Sequence, residues 1–585
     1  MGRPYEAPLE AMHAALDQAA RSAGLTGVPG CAATVAEVED AVLQSAARIA
    51  REVLSPLNHR GDAAGCRLDG RGVATPAGFR EAYQRFCADG WPALAAPQSL
   101  GGQALPMLLG AAVTEMWGAA NLAFAMCPEA AVGALEALRA HVTGELLERY
   151  ARPLASGAWT AAMAMTEPQA GSDLAAIRTL ARPDGTAWRL TGRKIFISWG
   201  DHDLSDNIVH LVLARTPDAP PSVRGLSLFL VPKRVPAADG DLAPNDLRAI
   251  SLEHKMGIRA SPTCVMAYGE REGARGWLVG PVGGGIDCMF TMMNHMRLGV
   301  GVHSTGLAER AFQLARAYAQ ERLQGRDRAG APRAIIEHAD VRRMLLTMKV
   351  LTHAARGLAY TAAAALDVAG ADIEPAARAR ALERASLLTP LVKAWCTDTA
   401  VEVASLGVQV HGGAGYIVES EIEQVYRDAR IGPIFEGTNF IQAQDLIVRK
   451  VLRDGGAALA ALLADIEASA HALAAQEEWP RRLLAECGEL RQAAAALSAA
   501  SARESELAGA VAQPFLQWLA VVAGGWQWAL SAHAAAGAAG TEPSRRAARD
   551  GARFYAAHIL PRARAHATQV AAGARLLAGT ERASL

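Results

Sequence analysis

The sequence predicts a multidomain α+β protein, mainly α: an N-terminal helical domain, a central antiparallel β domain, a four-helix bundle and a C-terminal helical extension. Three observations carry this reading. The chain has 585 residues, too many for one hydrophobic core. It is rich in alanine, the residue that costs least to hold in a helix, and only 5% aromatic. Near Trp159 helical periodicity gives way to short apolar runs separated by Gly, Asp and Pro, and near residue 282 it returns.

Taken in order, residues 1–35 form a helical lead-in ending at the turn-rich GLTGVPG. Residues 36–158 make the N-terminal helical domain. There VAEVEDAVLQSAARIAREVLSPL carries apolar residues at helical spacing, and Pro56 is expected to close that helix. A long loop over 90–106 precedes an Ala-rich segment, 107–138, apolar on most sides and so expected to be buried, with part of it able to line a pocket. In the β domain, 159–282, strands are expected in WRLTGRKIFISWG, IVHLVLART and LSLFLVPK. Helices over 289–322, 338–369, 378–410 and 440–452 suggest a bundle within 283–454. Gly455 and Gly456 then open the extension, 455–585, which from residue 457 has twelve Arg, no Lys and eleven acidic residues.

The bulk numbers exclude some functions. With 20% charged residues and a net charge of −1, nothing pulls the chain toward nucleic acid or an anionic membrane. The eight cysteines (31, 66, 87, 127, 264, 288, 396, 487) show no CxxC and no His at ligand spacing. They read as buried thiols of a reducing compartment, and no metal is expected. The opening MGRPYEAPLEAMHAAL has charges where a signal peptide needs its apolar core, so a cytoplasmic location is expected. The stretch 507–541 lacks Asp, Glu, Lys and Arg, yet Pro514, Gln517, Gly524, Gly525 and Gln527 interrupt it. A buried helix pair is expected there, not a membrane span. No GxGxxG after a strand, Walker loop, GxSxG elbow or repeat period is present, which removes the main support for nicotinamide, P-loop and α/β-hydrolase readings.

Five motifs carry chemistry. In RDARIGPIFEGTNFIQ (427–442) a carboxylate, Glu436, precedes a helix start marked by Thr438 or Asn439, with Gln442 completing a capping-box pattern. Between Phe435 and Gly437 it can enter a partly dry pocket and serve as a general base, or simply sit in solvent near a positive helix end. In MTEPQAGSD (165–173), Thr166, Gly171 and Ser172 offer hydroxyls and open backbone to a polar ring or phosphate, or form an ordinary polar turn. In KIFISWG (194–200), period two puts Phe196 and Ser198 on one strand face, as cofactor contacts or as core. QERLQGRDR (320–328) ends a helix with Arg322, Arg326 and Arg328, which suit pyrophosphate or a solvated helix end. QVHGGAGY (409–416) ends a helix at glycines open to a ligand, or at a plain αL stop.

In this order, TEPQAGSD, KIFISWG, ERLQG, QVHGGAGY and RDARIGPIFEGTN resemble the acyl-CoA dehydrogenase family over roughly residues 40–452. EHKMGIRASPTCVM (253–266), the β-rich segment before it and the C-terminal extension look most like the branch that includes 3-methylmercaptopropionyl-CoA dehydrogenases. The resemblance implies that Glu436 takes the α-proton of an acyl-CoA thioester while the β-hydrogen leaves as hydride to N5 of FAD, giving a trans-2-enoyl-CoA. The Glu436-equivalent N–H and a ribityl hydroxyl would stabilise the thioester oxygen. Met165, Thr166 and Ser198 would meet the flavin, Phe196 would pack against it, and Ser172 would lie near pantetheine or the flavin phosphates. Arg322 would meet the pyrophosphate across a subunit interface, with Gln409, Gly412 and Gly413 of the neighbouring chain near the adenosine, which implies a homodimer. Thr438 would complete the cofactor pocket, and Arg297, Phe435 and Gly437 would face the substrate.

Some relatives carry their base near position 296, which here is Met296, so no carboxylate competes with Glu436. Phe196 stands where many relatives have Trp, Ser198 where many have Thr, and Asn294 where some have Asp. The resemblance further implies an electron-transfer flavoprotein as acceptor, a short or thioether acyl group, and no nucleic-acid or membrane partner. An acyl-CoA oxidase is the enzymatic alternative. The other is a DNA-binding flavoprotein of this fold, using Arg545, Arg546, Arg549, Arg553, Arg562 and Arg564.

Overall fold

A computed structural model describes residues 3–28, 31–237, 241–501, 506–536 and 542–574, without the side chains of 31–36 and 536. Pro29 and Gly30 of the expected turn, the side chain of Cys31 and the end of the uncharged stretch, 537–541, lie outside the described residues.

Helix α1 (Leu9–Ala23) stops at Gly24, which adopts φ 79° and donates its N–H to the last turn. Helix α2 (Cys31–Ile49) does not end at Pro56, contrary to expectation. The chain widens into a π turn over Ala50–Leu54, and the Ser55 N–H reaches back to the Ala50 carbonyl. Helix α3 (Ser55–Ala64) then takes Pro56 in its first turn, where a missing N–H costs nothing. After α4 (Phe79–Ala88), the expected loop contains 3₁₀ turns at Trp91–Ala93 and Gln98–Leu100.

Helix α5 (Met107–His141) is broken at Asn121, which has φ −163° and ψ 89°. Its Oδ1 accepts the Phe124 N–H at 3.1 Å, as an N-cap does, and its Nδ2 donates to the Leu54 carbonyl at 3.3 Å. The Ala-rich segment is therefore two helices, a break that apolar periodicity hides. Helix α6 (Gly144–Ser156) leads into the sheet.

Strands β1 (Trp159–Ala164), β2 (Leu180–Asp184), β3 (Ala187–Ser198), β4 (Asn207–Arg215), β5 (Leu226–Pro232), β6 (Leu247–Leu252), β7 (Thr263–Tyr268) and β8 (Ala274–Val279) form one eight-stranded sheet. Its order is β6-β7-β3-β8-β5-β4-β1, with β2 pairing to β3 and β4. The sheet is antiparallel except that β1 runs parallel to β4, from Trp159↔Asn207 to Ala164↔Val212, and β2 touches β4 in parallel at one pair. The β2–β3 hairpin lies between β1 and β4 in sequence and lets the chain re-enter in the same direction. Val209, Leu211 and Leu213 pack with Ala134, Leu138, Tyr150 and Met292 from the helices, while Ile208, Val212 and Ala214 pack with Phe229, Val231 and Met266. Burial on both faces explains why IVHLVLA reads as an almost unbroken apolar run.

Helices α7 (Gly285–Glu321), α8 (Ala339–Gly370), α9 (Pro375–His411), α10 (Glu421–Ala429) and α11 (Asn439–Gln444) follow, the last continuing as a π turn over Asp445–Val451. The extension comprises α12 (Ala457–Leu473), α13 (Pro480–Ser501), α14 (Leu507–Ala536), α15 (Glu542–His558) and α16 (Arg562–Ala572). Helix α14 is one continuous helix, not the expected pair. Its glycines serve close approach: a Cβ on Gly524 would lie 2.3 Å from Tyr555 Oη and 2.9 Å from Trp395. By length and composition alone α5, taken across its break, and α14 could each cross a membrane, but 83% and 67% of their apolar windows are buried within the protein.

The chain divides into two compact units. One holds Met1–Ala7, Ser45–Leu105 and Met116–Gly299; the other holds Pro8–Gln44, Pro106–Glu115 and Val300–Leu585. The second has a buried charge cluster in which Arg356 pairs with Glu115 at 2.6 Å and Glu309 at 2.9 Å, while Tyr360 donates to Glu115 at 2.8 Å. Among the described residues there is no candidate metal cluster, and the described cysteines are free.

Candidate active site

In the first unit, two of the motifs are tied by one ion pair. The TEPQAGSD loop leaves β1 and closes on itself through reciprocal Glu167 and Ala170 backbone bonds of 3.0 Å. Glu167 turns inward to meet Lys194 of KIFISWG at 2.8 Å, with side-chain exposures of 4% and 0%. Lys194 Nζ also donates to the Met165 carbonyl at 2.8 Å, and the Ile195 N–H donates to the Thr166 carbonyl at 2.9 Å. Burial alone would raise the Glu167 carboxyl, but Lys194, the Thr179 hydroxyl and the Arg178 N–H together hold it at about 2. Thr166 and Met165, half-buried, are thereby fixed beside β3.

A β-bulge decides which side chains β3 shows. Cys264 pairs with Ile197 but Met266 with Lys194, so Ile195 and Phe196 oppose a single residue of β7. Lys194, Ile197 and Trp199 point inward, while Phe196 is 60% exposed and Ser198 half-exposed. Phe196 and Ser198 share a face as period two predicts, but Lys194, of the same parity, does not. The bulge holds Phe196 at φ 58°, a conformation costing about 1–2 kcal/mol for a non-glycine residue. Phe196 is thus no core residue. An exposed aromatic beside a hydroxyl suits a flat heteroaromatic ring with polar edges.

In the second unit, Glu436 also sits at φ 58° and is followed by Gly437 at φ 81°. The loop is held by its carbonyls. Gln442 Nε2 donates to the Glu436 carbonyl at 3.2 Å and the Gly437 carbonyl at 3.3 Å, and buried Lys393 donates to the Gly437 carbonyl at 2.7 Å. The Asn439 N–H closes the loop onto the Pro433 carbonyl at 3.0 Å. Thr438 is the N-cap, its hydroxyl accepting the Ile441 N–H at 3.3 Å. The capping box is incomplete, because Gln442 donates to carbonyls instead of accepting the cap N–H. Asn439 is buried and bonded to Lys393, Thr397 and Asp398 of α9. Phe435 and Glu436 stay half-exposed, which leaves the carboxylate loop open on one side.

The remaining expected residues lie as follows. Helix α7 ends at Glu321, so Arg322, Arg326 and Arg328 belong to an exposed hairpin start, not to the helix. Helix α9 ends at Gly412 with φ 61° and ψ −140°, a glycine conformation distinct from an αL stop. A Cβ at Gly412 or Gly413 would meet nothing within 4 Å, so the backbone there is bare, with Gln409 exposed one turn earlier. Ser172 is exposed beside Gly171, whose would-be Cβ also meets nothing. Arg297 is buried on α7, donating to Asn294 at 3.2 Å over the Phe290 ring.

The structure adds Glu167, Lys194 and Lys393 as supports that motif reading missed, and gives Asn439 and Gln442, read from the sequence only as helix-start residues, a supporting role as well. Lys393 carried a signal as a charged residue inside the apolar run LLTPLVKAWC, whereas Glu167, in a polar loop, carried none. Arg546, Arg549, Arg553, Arg562 and Arg564 each face a carboxylate of the extension or of α9, at 3.6, 3.2, 2.8, 2.8 and 2.6 Å, which weighs against a free phosphate-binding face.

Comparison with known proteins defines the family. The chain matches family profiles described as the N-terminal, middle and C-terminal domains of acyl-CoA dehydrogenase over residues 36–158, 162–269 and 283–452. A profile described as acetyl-CoA dehydrogenase C-terminal like covers 448–581. It is 46% identical to 3-methylmercaptopropionyl-CoA dehydrogenase of Ruegeria pomeroyi over 85% of this chain and 86% of that protein. Identity to a butyryl-CoA dehydrogenase of Syntrophomonas wolfei is 37%, over 71% and 70%. An acyl-CoA dehydrogenase from Bacillus anthracis, solved with FAD, superposes with a TM-score of 0.75 at 22% identity, over 93% of this chain and 88% of that one. The class so defined is that of FAD-dependent oxidoreductases acting on acyl-CoA thioesters. Within it, this chain belongs to the acyl-CoA dehydrogenase family, in the branch carrying a C-terminal helical extension.

Proposed function

We propose that Glu436 is the base that removes the α-proton of an acyl-CoA thioester. The observation that carries this is a loop carboxylate held at φ 58°, its flanking carbonyls locked by Lys393 and Gln442. The chemistry FAD supplies when bound is acceptance of the β-hydrogen as hydride, so the product is a trans-2-enoyl-CoA. The Glu436 N–H is the donor this chain offers to the thioester oxygen as negative charge develops there. Phe196 shields the flavin ring, Met165, Thr166 and Ser198 bind its edge, Thr438 closes the pocket, and Ser172 reaches pantetheine or phosphate. Arg297, Phe435 and Gly437 bind the substrate.

Arg322 binds the FAD pyrophosphate across a subunit interface, with Gln409, Gly412 and Gly413 of the second copy near the adenosine. The bare glycines and the exposed arginine support this, and the assembly it requires is a homodimer. The acceptor is an electron-transfer flavoprotein and the location cytoplasmic. Similarity to the Ruegeria pomeroyi and Syntrophomonas wolfei proteins supports a short acyl group, linear or thioether. The functional division is 1–35, 36–158, 159–282, 283–454 and 455–585, supported by where the family profiles fall.

Anaerobic titration with acyl-CoAs, including butyryl-CoA and 3-methylmercaptopropionyl-CoA, tests the reading by flavin bleaching. Wild type bleaches with its substrate, and Glu436→Gln binds the same thioester without bleaching. Full bleaching of Glu436→Gln at the wild-type rate would remove Glu436 as base.

A further inference from the structure

We propose that Gln517, on helix α14 of the C-terminal extension, is a positioning residue for Glu436, acting through Asp398 and Asn439. This rests on Glu436 being the base. Gln517 Nε2 donates to Asp398 Oδ2 at 2.6 Å, and Asn439 Nδ2 donates to Asp398 Oδ1 at 2.8 Å. Both oxygens of one carboxylate on α9 are thus shared between the extension and the residue that closes the Glu436 loop. Asn439 Oδ1 in turn accepts Lys393 Nζ at 3.0 Å, and the same ammonium holds the Gly437 carbonyl at 2.7 Å.

The loop's 433–439 closure runs through the Asn439 N–H, so where Asn439 sits decides where the Glu436 backbone sits. Asn439 cannot drift without breaking bonds to Asp398, Thr397 and the Ala394 carbonyl at once. Asp398 is mostly buried, and burial pushes its carboxyl up, a tendency opposed by Asn439 and Gln517. Removing Gln517's N–H leaves one buried oxygen of that carboxylate without this donor, and Asp398 must then turn or take up a proton. Turning withdraws the fixed acceptor from Asn439, and protonation leaves it a weaker, neutral one. Uncharged α14 is therefore more than packing: its Gln517 contact with Asp398 of α9 leads on to the base loop.

The test is single-turnover anaerobic flavin reduction by a saturating acyl-CoA that bleaches the wild type, with thermal melting and thioester affinity measured alongside. Gln517→Met keeps length and removes the donor. Gln517→Glu combined with Asp398→Asn exchanges donor and acceptor and restores both hydrogen bonds. The expected result is reduction slowed about tenfold in Gln517→Met at unchanged affinity, its pH profile displaced, with recovery in the exchanged pair. Reduction within twofold of wild type in Gln517→Met overturns the proposal, whatever its melting temperature. So does a loss that the exchanged pair fails to recover. If Gln517→Met does not fold, the pair alone decides: wild-type reduction supports the link and slow reduction in a folded pair refutes it. If Glu436→Gln itself bleaches at the wild-type rate, the base assignment has failed, whereas an inert Glu436→Gln beside a fully active Gln517→Met rejects only the link.

Discussion

Glu167 and Lys194 face each other at 2.8 Å with both side chains buried, and each comes from a different motif of the same unit. Their contact joins the loop that carries Thr166 to the strand that carries Phe196 and Ser198. Breaking a buried pair leaves a charge with no partner and costs about 3–5 kcal/mol, whereas replacing both charges with apolar groups is often neutral. Lys194→Met is therefore expected to destabilise the first unit strongly and to lower bound flavin. Lys194→Met with Glu167→Met should recover most of the stability. Melting temperature and the flavin-to-protein absorbance ratio across the cycle check this.

The same pair sets an acid limit. The Glu167 carboxyl lies at about 2 in the folded chain against an ordinary 4.5, so the folded state holds the ionised form more tightly than the unfolded one. A depressed carboxyl contributes stability that is complete above about 4.5 and lost as pH falls toward about 2. The contribution is about 3 kcal/mol. Lys194, lowered by burial to about 8, changes charge on the alkaline side and leaves this window alone. Urea midpoints between pH 5 and pH 2 should fall steeply for wild type and more shallowly for Glu167→Gln.

Phe196 is held at φ 58° and 60% exposed, so it adds strain without core packing. Phe196→Gly relieves about 1–2 kcal/mol of backbone strain, less about 1 kcal/mol for the freedom glycine gains unfolded. Stability without flavin should be unchanged or slightly raised, while flavin affinity drops by about tenfold or more as the ring contact is lost. Melting of the stripped protein and flavin titration separate the two. A fall in apo stability beyond about 2 kcal/mol would show that the side chain packs somewhere.

The order of helical, β and helical segments was legible because periodicity changes near Trp159 and again near residue 282. Local geometry was less so. Pro56 looked like a stop, but proline is as acceptable in a first helical turn as after a last one, and only the π turn at Ala50–Leu54 distinguishes the two. Gly524 and Gly525 looked like a break, but glycine also permits close helix packing, and only Tyr555 and Trp395 reveal which applies. At the site, Phe196 and Ser198 followed from period two, while Lys194 was hidden by a one-residue bulge. Glu436 stood out by its motif. What holds it, Lys393 on α9 and Gln442 downstream, depends on tertiary approach that spacing along the chain does not encode.

The α14 glycine gives a direct measure of that approach. A Cβ at Gly524 would stand 2.3 Å from Tyr555 Oη and 2.9 Å from the Trp395 ring, distances that force one neighbour to move. Tyr555 is pinned, its hydroxyl donating to the Val521 carbonyl at 2.9 Å, so it cannot yield without losing that bond. Gly524→Ala gains about 1 kcal/mol of helix propensity but should still lose about 1–3 kcal/mol net through overpacking. Tyr555→Phe on its own gives up one hydrogen bond, about 1 kcal/mol. Combined, the two should cost less than their sum, because the phenyl ring removes the nearest clashing atom. Chemical denaturation of the four proteins gives the coupling, and strict additivity would mean that helix α14 shifts bodily instead of pressing on Tyr555.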